Sequence, residues 1–168
     1  MLAFFAAALA AATPSPALEA SVPWWEKVTV TVDDKGKERS CLYESSLSSA
    51  GAEACDEGTA EDVNTAGSGK SGLYSTVTFE RRFSPGRLDS RRVQPGDKLI
   101  GRNVMFLTID AEGAIASCHV VATSGDEPPD YGCEDARKEQ FQAQASAEGG
   151  ARQAFMTILA YGHTEHLA

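Results

Sequence analysis

The spacing of four cysteines constrains this chain more than any other feature of its sequence. Cys41 and Cys55 are 14 residues apart, Cys118 and Cys133 are 15 apart, and Cys41 precedes Cys118 by 77 residues. Two matched pairs at a fixed distance along the chain indicate an internal repeat. The chain, which has 168 residues, is therefore expected to contain two related units.

The residues around the first cysteine of each pair support this repeat. The stretch KVTVTVDDKGKERSCLYESS aligns at the same shift with NVMFLTIDAEGAIASCHVVATS, which places Asp33 on Asp110 and Gly36 on Gly113. Each stretch alternates apolar and polar residues, meets a D-x-x-G turn and then resumes as a second strand. Because the glycines can supply the positive φ that a short hairpin turn requires, each copy predicts a β-hairpin.

A candidate helix follows each hairpin. In the second copy Asp130 can cap a helix through YGCEDARKEQF. Glu134 and Asp135 in its first turn would interact favourably with the positive end of the helix dipole. The equivalent stretch of the first copy, AEACDEGTAEDVNTAG, is a weaker candidate because Gly58 interrupts it.

Each copy closes with an apolar run rich in β-formers, at Leu73–Phe83 and at Ala154–Gly162. The sequence therefore predicts an α+β fold of two tandem ββαβ units, each a small antiparallel three-stranded sheet with one helix packed on it. The predicted boundaries are residues 1–20 for a signal peptide and Pro/Ala stretch, 21–86 for the first and more degenerate copy, 87–100 for a linker, and 101–168 for the second copy.

The N-terminal run MLAFFAAALAAA is the basis for the signal peptide. It is apolar, too short to span a bilayer and ends in small side chains before a Pro/Ser/Ala stretch. We therefore expect an exported mature chain without an integral membrane span, in a compartment where disulfides persist.

The cysteines are best interpreted as structural disulfides. In each copy the first cysteine falls on the second strand and the second at the start of the helix, so Cys41–Cys55 and Cys118–Cys133 bonds would tie helix to hairpin. Each bond would contribute on the order of 3 kcal/mol. Zinc binding is disfavoured because the chain has no C-x-x-C pair, and His119 is poorly placed as a base for Cys118 because successive strand residues point to opposite faces. Free buried thiols are the alternative.

Composition and motifs narrow the function further. A net charge of -9 repels nucleic acid and anionic lipid. The stretch GSGKSG, residues 67–72, lacks the first glycine of a phosphate-binding loop. We therefore expect no cofactor, and assign no catalytic or metal-binding residue. Trp24 and Trp25 could form a binding patch, although packing at a sheet edge is the commoner role of such a pair.

The second copy resembles a known family. NVMFLTIDAEGAIASCHVVATSGDEPPDYGCEDARKEQFQ is similar to the C-terminal domain of TonB, the periplasmic energy transducer of Gram-negative bacteria. TSG at 123–125 matches the S-S-G that ends the second strand of that family, Asp130 its helix start and Phe141 the aromatic residue that ends its helix. The resemblance covers Gly101 to Gly162, and reaches the first copy only through its hairpin, its cysteines and its last strand.

The resemblance implies a non-enzymatic periplasmic binding or adaptor protein that takes part in transmembrane transport. Such a domain would bind extended peptide segments of outer-membrane transporters by β-strand addition. The last strand would be the open edge, at Phe155, Thr157, Leu159 and Tyr161. No Pro-rich, periplasm-spanning segment precedes the domain, so a complete transducer is not expected. The alternative is a structural or self-associating envelope protein, for instance a homodimer with paired edge strands; an enzyme is the least favoured class.

Overall fold

The computed structural model describes residues 16–33, 38–47, 55, 74–143 and 150–164. Most of the predicted signal peptide, the GSGKSG stretch and the predicted helix of the first copy, apart from Cys55, lie outside the described residues.

The described residues form six strands and one short helix. In chain order these are β1 (Trp24–Val32), β2 (Glu38–Ser45), β3 (Thr76–Pro85), β4 (Asp97–Ile109), β5 (Ile115–Gly125), α1 (Cys133–Ala136) and β6 (Arg152–His163).

All six strands belong to one antiparallel sheet with the order β2-β1-β3-β6-β4-β5. The two predicted hairpins are present, as β1 with β2 and as β4 with β5. The last strands of the two halves, β3 and β6, pair over ten residues, from Thr76 opposite His163 to Pro85 opposite Ala154. The predicted fold of two tandem ββαβ units, each with a packed helix, is therefore wrong, because the strands of both halves form one antiparallel sheet and the described helix has only four residues.

The predicted helix of the second copy is reduced to the four residues of α1. Asp130 is not its N-cap, since the helix begins after Gly132, whose backbone N–H donates to the Asp135 carboxylate (3.1 Å). A helix this short has little stability of its own. The chain does not continue as a helix because other segments form hydrogen bonds with the backbone groups that follow α1. Leu18 N donates to Gln140 O, and Phe141 N donates to Gly113 O, both at 2.8 Å.

The hairpin turn between β4 and β5 has the predicted chemistry. Gly113 has a φ of +87°, and the Asp110 carboxylate accepts a hydrogen bond from the backbone N–H of Ala114 (2.8 Å). A side chain at Gly113 would also collide with the Phe141 carbonyl, since an added Cβ would lie 2.0 Å from that oxygen. Gly113 is thus required by its conformation and by close packing. Its counterpart, Gly36, lies outside the described residues.

One numerical shift relates the strand pairing of the two halves. Adding 77 to each member of the pair Val30 and Cys41 gives the observed pair Leu107 and Cys118. The same addition converts the β1 to β3 pair Val30 and Val77 into the β4 to β6 pair Leu107 and Ala154. The two halves therefore pair their three strands in the same way and meet across the β3 to β6 junction.

The main core lies on the face of the sheet that carries both disulfides, called the disulfide face below. Cys41 and Cys118 lie opposite Val30 and Leu107, which are fully buried. The N-terminal segment, the residues around α1 and Phe141 cover this face, and Trp24 and Phe141 both pack on the Phe83 ring. Its buried members include Ala20, Trp24, Phe83, Met105, Leu107, Ile109, Cys118, Ala136, Phe141, Ala154, Met156 and Ile158.

The opposite face is crossed by residues 86–96, called the strap below. The strap leaves β3 where Pro85 pairs with Ala154 and enters β4 where Asp97 pairs with His163, so it runs from one end of β6 to the other. Arg82 Nη1 donates to the carbonyl oxygen of Arg91 in the strap (2.7 Å), which fixes the face that the strap covers. Most of the predicted linker, 87–100, is this strap, although β4 already begins at Asp97.

Both predicted disulfides are present. Cys41 bonds to Cys55, and Cys118 bonds to Cys133, with Cα atoms 5.7 and 5.6 Å apart. Cys118 is buried in the core and its partner begins α1, so this bond attaches the helix segment to β5. No described cysteine is free. Two disulfides are consistent with an oxidising compartment.

Replacing Cys118 and Cys133 together with Ala should lower the free energy of unfolding by about 3 kcal/mol, because the bond closes a loop of 15 residues. Equilibrium urea unfolding measures this loss. The C41A/C55A variant, which opens a loop of 14 residues, is the matched control and should lose a similar amount. Unchanged unfolding midpoints in both variants would contradict a stabilising role for the bonds.

Candidate functional site

The sequence predicts β6 as the open edge, and the structure places β6 in the interior of the sheet. Its residues pair with β3 on one side and with β4 on the other. The expected peptide-binding set is therefore corrected, because the main-chain groups of these residues face neighbouring strands rather than a partner. The set consists of Phe155, Thr157, Leu159 and Tyr161, of which all but Phe155 are buried.

The edges of the described sheet are β2 and β5, and they differ in charge. The eight residues of β2 include Glu38, Arg39 and Glu44. The 11 residues of β5, IASCHVVATSG, include no Asp, Glu, Lys, Arg or Pro. Charged residues and proline are the usual means by which proteins protect a sheet edge from pairing with another chain. Of the two edges, β5 is the less protected.

Two valines mark the middle of the β5 edge. Val120 and Val121 keep 49% and 53% of their surface exposed. Val104 pairs with Ala122 and Met105 pairs with Val120, so Val121 is the additional residue of a β-bulge. The register also shifts between Thr108 and Ile109, so the edge has two regular parts of four residues each, 117–120 and 122–125, one on either side of Val121.

The end of β5 is linked through Asn103 of β4 to the loop that precedes α1. Thr123 Oγ1 donates to Asn103 Oδ1 (3.1 Å), and Asn103 Nδ2 donates to the carbonyl oxygens of Pro129 (2.8 Å) and Tyr131 (3.3 Å). Together with the disulfide at Cys118, these bonds fix the edge before any partner arrives. A preformed edge reduces the entropy lost on binding.

The disulfide face also holds a charged cluster centred on Arg81. The guanidinium donates to Glu26 on β1, with Nε 2.5 Å from Oε1, and forms an ion pair with Glu139 beyond α1. Tyr131 donates to the same Glu139 carboxylate (2.9 Å), and Tyr43 donates to Glu26 (2.8 Å). The cluster joins the first hairpin, β3 and the segment after α1.

Arg81 lies opposite Ile158 at the junction of the two halves, and these two positions are also separated by 77 residues. Burial alone disfavours the charged form of Arg81, but the carboxylates of Glu26 and Glu139 outweigh it and raise its pKa. No fully buried side-chain nitrogen or oxygen of the described residues lacks a hydrogen-bond partner. We infer that the cluster is a structural clamp across the junction.

A second polar cluster lies under the strap. Arg82 binds Glu80 through two hydrogen bonds, Nε to Oε1 at 2.6 Å and Nη2 to Oε2 at 3.1 Å. The Tyr161 phenol donates to Glu80 Oε2 (3.1 Å), and burial followed by the negative charge of Glu80 raises the Tyr161 pKa. Because Arg82 also holds Arg91 O, this cluster fastens the strap to the sheet.

The described residues form neither a metal-binding cluster nor a membrane-spanning helix. Within 16–33, 38–47, 55, 74–143 and 150–164, no three His, Cys, Asp or Glu side chains are grouped so that they could hold a metal ion. The helix in those ranges lacks the length and the apolar character needed to cross a membrane.

Comparisons with protein-family models, with curated proteins and with solved structures give no match to this chain.

The sequence contains a signal for the two polar clusters in strand β3. Strand β3 reads TVTFERRFSP, so three charged residues stand inside an otherwise apolar and β-forming run. Consecutive strand residues point to opposite faces, so three consecutive charged residues in a covered strand need partners on both faces. Their pattern indicates a strand with both faces covered, as β3 is.

Replacing Arg81 with Met should lower the free energy of unfolding by about 3 kcal/mol, because Glu26 and Glu139 would be left close together and unpaired. Urea unfolding at neutral pH measures the loss. The triple variant R81M/E26Q/E139Q is the control, and it should recover part of the stability because it contains no unpaired carboxylate. A triple variant as unstable as R81M would show that charge is not the cause.

Stability should fall as the pH rises above 10. Burial raises the pKa of the Tyr131 and Tyr161 phenols above their ordinary value of 10.0, so the folded protein keeps both protons where the unfolded chain loses them. The stabilisation is complete below pH 10 and decreases above it. Phenolate absorbance of native and urea-unfolded protein checks this, and coincident titration curves would contradict it.

Proposed function

We propose that this chain is a non-enzymatic binding domain that acts outside the cytoplasm and takes up an extended peptide as an additional strand on β5. The observation that carries the proposal is an 11-residue edge strand that has no charged residue, exposes two valines and pairs only with β4 among the described strands. A peptide on this edge would form main-chain hydrogen bonds, and its alternate side chains would contact the two faces of the sheet.

The chemistry around β5 favours a neutral or basic peptide with apolar side chains. Val120 and Val121 offer apolar contacts, and the exposed His119 lies between them and Cys118. The chain has a net charge of -9, which attracts basic segments and repels acidic ones. A short apolar strand flanked by Lys or Arg is therefore the partner that fits best.

Two observations support the periplasm as the compartment. The described cysteines are all in disulfides, and the N-terminal run has the length and composition of an export signal. The resemblance of Gly101–Gly162 to the TonB C-terminal domain further favours a segment of an outer-membrane transporter as the bound peptide. In this proposal, however, the binding strand is β5, in place of the last strand.

Self-association is the second candidate function, and the same edge favours it. Two copies could pair their β5 strands, since neither edge carries a charge that opposes the other. The net charge of -9 on each copy works against this pairing at low ionic strength. Peptide binding is therefore preferred, and the oligomeric state distinguishes the two.

The V120K variant should weaken peptide binding at least about tenfold, because a lysine on the open edge opposes strand addition. L42K is the matched control, because Leu42 is 58% exposed on the other edge, β2. This variant should bind the peptides as the wild type does. The measurement is an NMR titration with basic peptides and with N-terminal peptides of outer-membrane transporters, read at the amides of β5.

Several outcomes would decide against the proposal. Binding that L42K abolishes and V120K leaves intact would move the site to β2. No binding and no amide shift in β5 with either peptide set would remove the strand-addition function. Sedimentation at several concentrations tests self-association, and a dimer that V120K dissociates would favour the second candidate function instead.

A further inference from the structure

A cleft lies at the end of the sheet where β1 begins and the strap leaves β3. Its volume is about 590 Å³, within the range of small-molecule sites. One wall is formed by residues 23–25 and Ser46, and the other by strap residues 87–91. The β5 edge lies at the opposite side of the sheet, so this cleft is separate from the proposed peptide site.

The backbone of the aromatic wall of the cleft is held by several contacts. Trp24 is buried, stacks on Phe83 with ring centroids 5.4 Å apart, and donates its indole N–H to the carbonyl oxygen of Glu19 (2.8 Å). The backbone N–H of Trp25 donates to Ser46 Oγ (2.8 Å). Opposite this wall, Leu88 keeps 44% of its surface exposed. Trp25 and Leu88 therefore give the cleft an apolar surface for a flat or branched apolar group, next to a buried and well-packed Trp24.

The residues that line the cleft carry a net positive charge in an acidic chain. They include Arg87, Arg91 and Asp89, which sum to +1 in a chain of net charge -9. Lys27 Nζ lies 4.8 Å from the centre of the Trp25 ring, which adds a further cation beside the cleft.

The two arginines of the cleft wall differ in their partners. Arg91 is engaged by Asp89, with Nη2 2.5 Å from Oδ2, and that pairing lowers the pKa of Asp89. Among the residues that the structure describes, Arg87 forms no ion pair and is exposed. Arg87 is therefore available to form a two-pronged contact with a carboxylate.

We propose that this cleft binds a carboxylate attached to an apolar body, with the body against Trp25 and Leu88 and the carboxylate on Arg87. Two sources share this chemistry: a free aromatic or branched-chain carboxylate, and the C-terminus of a peptide that ends in an apolar residue. The volume accommodates either, and the peptide would extend past the strap.

The chain provides its own reporter for binding. Both tryptophans of the chain, Trp24 and Trp25, line the cleft, so tryptophan fluorescence reports on binding there. The probes are 3-phenylpropionate, its uncharged amide, and an acetylated peptide ending in Phe with either a free or an amidated C-terminus. We expect saturable changes in emission, with each carboxylate bound at least about tenfold more tightly than its amide.

R87Q should remove this preference for the carboxylate, so that acid and amide bind with equal affinity. R92Q is the matched control, since Arg92 is exposed on the same strap but does not line the cleft, and it should bind as the wild type does. A peptide that binds more tightly than phenylpropionate identifies a C-terminus as the ligand, and equal affinity identifies a small carboxylate. Absence of saturable binding, or equal affinity for acid and amide in the wild type, would overturn the proposal.

Discussion

The pairing of β3 with β6 is the interaction on which the rest of the structure depends. A three-stranded sheet exposes much of its apolar surface, and two such sheets of this size would each have a marginal core. Ten consecutive residue pairs between the two last strands remove two edges at once and place the most apolar strand, β6, in the middle. The positions of the edges and of the polar clusters follow from this junction.

The junction also explains why charged residues stand inside β3. Arg81 points to the disulfide face and Arg82 to the strap face, because successive strand residues alternate. Each arginine binds a carboxylate on its own face and a segment from outside the strand: Glu139 for Arg81, and the strap carbonyl of Arg91 for Arg82. Placing two charges in a covered strand costs solvation free energy, and the hydrogen bonds of both clusters offset it. The same side chains fasten the coverings of the two faces.

The local elements could be predicted from the sequence, but the arrangement of the two halves in one sheet could not. Both hairpins, the Asp110 turn and the two disulfides could be predicted, since each depends on residues close in sequence or on matched spacing. The joining of the sheets could not, because it depends on which strand edges meet, and AFMTILAYG has the same composition in an edge strand as in a central one. Its apolar character on both faces was the available clue, since an edge strand open to water usually alternates. The helix was overestimated because its sequence suits a helix, whereas its backbone is used by Leu18 and Gly113.

Joining the sheets has a consequence for binding. When β3 and β6 pair, the second strand of each hairpin becomes an outer edge, so the chain presents β2 and β5 at opposite sides. The two halves share their pairing pattern, yet β2 carries three charged residues and β5 carries none. An unprotected edge favours aggregation unless the exposed strand has a use or the whole chain is repelled from its own copies. A net charge of -9 supplies that repulsion while leaving the edge open to a basic partner. The difference between β2 and β5 is therefore best explained by binding at one edge and protection at the other.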